Sequence, residues 1–113
     1  MSRNYDDHRT NAERLTADDL PRFAVFLSSY LNDDSSAAAS SAARAAYDYA
    51  AEAELDELGE LAREWEIVCA AAREMGVERF NAALRDRFRS SWRVVAIAEV
   101  DAAFEELTRA LRE

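Results

Sequence analysis

Large apolar residues between Asp18 and Asp34 recur at three- and four-residue steps: Leu20, Phe23, Phe26 with Leu27, Tyr30 and Leu31. That spacing places them on one face of a helix running from about Leu20 to Asn32. Three rings on one short helix make it the expected nucleus of a core, because aromatics bury the most area per residue. Asp18 or Asp19 is the expected cap of its free N–H groups, with Pro21 inside the first turn. Asn32, Asp33 and Asp34 end it, since Asn and Asp bond locally and favour turns. Carboxylates at a helix C-terminus oppose the dipole by about 0.3 kcal/mol or more. That small cost marks Asp33 and Asp34 as candidate partner-binding residues.

The longest periodic run follows later in the chain. Leu55, Leu58, Leu61 with Ala62, Trp65, Val68 with Cys69, Ala72 and Met75 alternate three and four apart, predicting a helix of about twenty residues. Gly76 stands where a left-handed residue would terminate it. A shorter helix is expected from Val77, with Phe80, Ala83, Leu84 and Phe88 on its apolar side and Ser90 and Ser91 breaking it. The last segment, Trp92 to Arg112, carries Val94, Ile97, Val100, Phe104, Leu107 and Leu111. Its first residues are β-rich by propensity, yet no second strand-like run exists to pair with them, so a helix is expected there too.

Two stretches lack this clarity. Residues 1–15 are polar and aperiodic, so they read as a flexible lead-in to a helical domain spanning 16–113. Residues 35–46 are almost all Ser and Ala, which fits either a linker or a helix. Alanine is the best helix former, and Tyr47 and Tyr49 follow at once. A helix over about 38–52 is therefore expected, capped by Ser36 or Ser40, with small residues that let a neighbour approach closely. The fold class that results is all-α: one domain, an antiparallel bundle of four or five helices.

Composition agrees and adds a charge. Two Gly and one Pro in 113 residues suit a helical protein, and net charge is −9. All fourteen basic residues are arginine, so no lysine can act as a base or Schiff-base former. From Glu52 to Glu78, nine acidic residues face only Arg63 and Arg73, a net −7. From Arg79 to Arg93, five arginines face Asp86 alone. Two faces of opposite sign are one reading; the other is a solvated acidic helix paired with its arginine-rich neighbour. Glu57, Glu60 and Glu64 share one helix face and are expected to point to solvent, where they could meet a cationic partner. An acidic chain repels nucleic acid, which leaves a nucleic-acid regulator using Arg79 to Arg93 as the weakest option.

Catalytic signatures are missing from the sequence. It contains no Gly-rich phosphate loop, no Cys/His metal spacing and no nucleophile elbow. His8, the only histidine, lies in the polar lead-in, and Cys69 falls on an apolar stripe. No enzyme activity, cofactor or metal is expected. No run of about 18 apolar residues and no signal region occurs, so a soluble cytoplasmic protein is expected, in keeping with a single cysteine.

The stretch from Leu20 to Asp34 resembles the N-terminal motif of contact-dependent growth inhibition immunity proteins. Members of one such family open with a short helix ending in a Tyr-(aromatic)-x-x-Asp-type sequence, matched here by Tyr30 and Asp34. Leu31 stands where a second aromatic is usual. A long acidic Leu-rich helix and an aromatic-led closing segment, here Ser91-Trp92, complete the pattern. The resemblance implies a cytoplasmic protein that binds the C-terminal toxin domain of an effector, often a nuclease. A nuclease presents a basic cleft to phosphate, so an acidic helical face would suit it. The competing expectation is a helical regulatory module that self-associates through exposed Trp or Phe.

Overall fold

The computed structural model describes residues 10–31 and 42–112. Among the described residues, six helices form one bundle: α1 (Asn11–Arg14), α2 (Pro21–Tyr30), α3 (Ala42–Glu52), α4 (Leu55–Met75), α5 (Val77–Phe88) and α6 (Ala98–Arg112). The all-α reading therefore holds. Among the described residues, no helix is long and apolar enough to cross a membrane.

The core is centred on α4. Its buried residues are Leu58, Leu61, Ala62, Trp65, Val68, Cys69, Ala71 and Ala72, one stripe along the helix. Trp65 is fully buried, meeting Phe23 and Phe26 edge-on at 5.1 and 5.2 Å. Its indole N–H donates to the Val100 carbonyl at 2.9 Å, so one side chain joins α2, α4 and α6. Leu55, expected on the same stripe, is 67% exposed. It sits at the first position of α4, before any neighbouring helix covers that face.

Alanine shapes the other main contact. Ala42, Ala45 and Ala46 of α3 are buried, and α3 packs chiefly on α6, which buries Val100, Ala103 and Leu107. Side chains this small let two helix backbones approach closely. The helix begins at Ala42 within the described residues; the caps expected at Ser36 or Ser40 lie outside them, as does His8.

Gly76 forms the whole connection between α4 and α5, with φ 84° and ψ 164°. Its N–H donates to Ala72 O and its carbonyl accepts from Phe80 N–H, so it closes one helix and opens the next. Side chains other than hydrogen rarely adopt that backbone conformation. A methyl group there would meet no heavy atom within 4 Å, so the cost of Gly76→Ala is conformational alone. The expected loss is about 1–3 kcal/mol, read as a lower urea midpoint with an unchanged m-value. An unaltered midpoint would contradict it.

Three boundaries depart from expectation. Residues 10–15 are no loose lead-in: Thr10 caps a helical turn and Leu15 is fully buried. Asn11 and the Ala12 N–H donate to Glu74 at 2.8 and 3.2 Å, and Arg87 donates to the carbonyls of Ala12 and Leu15. These long-range partners hold a segment whose own sequence has no period. At the other end, α6 starts at Ala98 and not near Trp92. The chain leaves α5 through Arg89, in the left-handed region at φ 55°, and crosses the core irregularly. The Asn81 amide replaces a partner strand there: it accepts the Val94 N–H at 2.9 Å and donates to the Val94 carbonyl at 3.0 Å. Glu99 then accepts the N–H groups of Val95 and Ala96 just ahead of the helix.

Candidate partner-binding site

The third departure lies at the start of α2 and bears directly on the acidic residues. The cap position is Leu20, which has no side chain able to accept a hydrogen bond. Asp19 instead closes a small turn with Thr16, whose hydroxyl accepts the Asp19 N–H and donates to its carboxylate. The α2 N–H groups find their acceptor across the bundle. Glu64 accepts the Phe23 N–H at 2.8 Å and bonds to the Arg22 backbone as well. Arg22 in turn donates through Nε to Glu60 at 2.7 Å, with Glu57 at 3.8 Å from its guanidinium.

The expectation that Glu57, Glu60 and Glu64 face solvent is thereby corrected. All three are half-buried, on the edge of α4 that docks α2. Their i, i+3, i+7 spacing does place them in one line; that line borders a neighbour whose positive dipole end needs a carboxylate. Asp33 and Asp34 lie outside the described residues.

Burial pushes the Glu64 carboxyl above its ordinary value, against the Phe23 and Arg22 N–H groups, which favour the ionised form. A folded pKa above the unfolded one means the folded state binds the proton more readily. The contribution of this group is fully present below the ordinary carboxylate range and is lost as pH rises through the raised value. Glu64→Gln keeps an oxygen acceptor without the charge. Its stability relative to wild type is expected to rise between about pH 4 and pH 7. Glu64→Ala, which leaves α2 uncapped, should be less stable than Glu64→Gln by about 1 kcal/mol across that range. Thermal melts at several pH values check both, and a Glu64→Gln difference that falls with rising pH would contradict the sign.

The exposed acid lies elsewhere, around the turn from α3 to α4. From Asp48 to Glu60 the chain carries six carboxylates and no basic residue. Glu52, Glu54 and Asp56 are exposed, clustered within five residues of chain around the exposed Leu55. Tyr30 donates its hydroxyl to Glu52 at 3.0 Å, tying the end of α2 to this turn. Asp48 pairs with Arg44 one turn earlier. The outward face of α4 beyond the turn is mixed in sign, with Arg63, Glu66 and Arg73 exposed and Arg73 paired with Asp101 at 2.7 Å.

The arginine-rich helix does not neutralise the acidic one. None of the described ion pairs joins α4 to α5: Arg85 pairs with its neighbour Asp86, and Arg87 serves α1. Arg93 donates to the carbonyls of Ser90 and Trp92 within its own loop.

Cys69 is buried, its thiol 3.8 Å from the Val100 carbonyl, and desolvation pushes its pKa up to about 12. A thiol so weakly acidic supplies almost no thiolate nucleophile at neutral pH. Among the described residues, no group of three or more His, Cys, Asp or Glu side chains is placed to hold a metal ion. Both tryptophans and Phe23, Phe26 and Phe80 are buried; Phe88 and Phe104 are half-buried, as are Tyr30 and Tyr49, and Tyr47 is exposed.

Comparison with protein-family models, curated proteins and solved structures finds no match.

Proposed function

We propose that this chain is an immunity protein. It binds, in the cytoplasm, the C-terminal toxin domain of a contact-dependent growth inhibition effector, a basic nuclease, and neutralises it without catalysis. The observation that carries this reading is the exposed acid at the α3–α4 turn, where Glu52, Glu54 and Asp56 lie in a stretch without a basic residue and enter none of the ion pairs among the described residues. The resemblance of Leu20 to Asp34 to the immunity motif supports it, and Tyr30 of that motif bonds to Glu52 of the same turn.

A cationic nuclease cleft suits such a surface. Opposite charge raises the encounter rate and disfavours wrong partners. Direct nucleic-acid binding is opposed by the net charge of −9. Self-association through a Trp or Phe anchor would fall to Phe88 and Phe104, since the other Trp and Phe rings of the described chain are in the core.

The test is genetic and biochemical together. The C-terminal domain of a large secreted protein encoded immediately upstream should arrest growth when expressed alone. Co-expression with this chain should restore growth, and the two should co-purify. A toxic domain that this chain, stably expressed, neither rescues nor binds would remove the proposal.

A further inference from the structure

We draw no further inference here: the strongest candidate, the open groove of about 340 Å³ between α3 and α6 lined by Tyr47, Ala50, Ala51, Glu106, Arg109 and Ala110, is an unpartnered face, and nothing in the structure shows what covers it.

Discussion

Replacing Trp65 with alanine is expected to cost about 3–5 kcal/mol, the upper range for emptying a core site. Trp65 is fully buried between the rings of Phe23 and Phe26 and lies 6.3 Å, centroid to centroid, from Trp92. Truncation removes the indole volume, both edge-on contacts and the bond to the Val100 carbonyl, so α2, α4 and α6 lose a shared anchor at once. A domain has roughly 5–15 kcal/mol in all, so the variant should be partly unfolded near body temperature. Urea unfolding followed by far-UV circular dichroism measures it. Trp65→Phe keeps a ring in the site and loses the N–H bond, and should fall between the alanine variant and wild type. A loss below about 1 kcal/mol for Trp65→Ala would contradict the central place given to this residue.

Reversing Glu57, Glu60 and Glu64 together to arginine is expected to damage the fold. Glu64→Arg removes the acceptor of the Phe23 N–H and puts a cation against the positive end of α2. Loss of the cap alone costs about 1 kcal/mol. Glu60→Arg and Glu57→Arg set two more cations beside Arg22, where an attractive pair stood. Both partners of that pair are more than a third exposed, so the pair itself contributes no more than about 1 kcal/mol. The combined loss should reach about 2–4 kcal/mol by these cap, dipole and like-charge costs. Thermal unfolding should show a lower midpoint in the triple variant, with Glu64→Arg responsible for most of it. A triple variant as stable as wild type would mean that α2 does not depend on these carboxylates.

The two cases differ in how far the sequence could reveal them. The α4 stripe is a strong local signal: apolar steps of the right period along the whole helix, closed by a glycine that the backbone needs at φ 84°. Trp65 lies in the middle of that run, and its burial follows from position alone. Glu64 has the same kind of spacing, yet what it touches depends on where α2 docks, which no periodicity states. A signal is present on the other helix. Leu20 precedes Pro21 at the start of α2 and cannot cap it, so an acceptor has to come from outside.

The crossing from Arg89 to Ile97 shows the same limit. Its β-rich residues do take irregular, non-helical backbone, but their polar groups are satisfied by Asn81 and Glu99 and not by a second strand. An unpaired strand is untenable, which is why the sequence points to helix there. A single amide side chain pairing both groups of Val94 is the alternative that no local pattern announces. Residues 10–14 and Leu15 escape the sequence for a related reason, since contacts with Glu74 and Arg87, over sixty residues away, hold that turn.

If, as we propose, exposed acid at the α3–α4 turn meets a cationic protein, the rate of association depends on that acid. The pair Glu54→Arg and Asp56→Arg lies in this turn and avoids the carboxylates that dock α2. It should leave the helical content intact, at a cost of about 1 kcal/mol at the start of α4. Stopped-flow association with the upstream-encoded toxin domain would then be measured from low to high salt. The expected result is a marked fall in on-rate at low salt that shrinks as ions screen the field, with a smaller change in dissociation. An on-rate equal to wild type at every salt concentration, with the bundle folded, would contradict it.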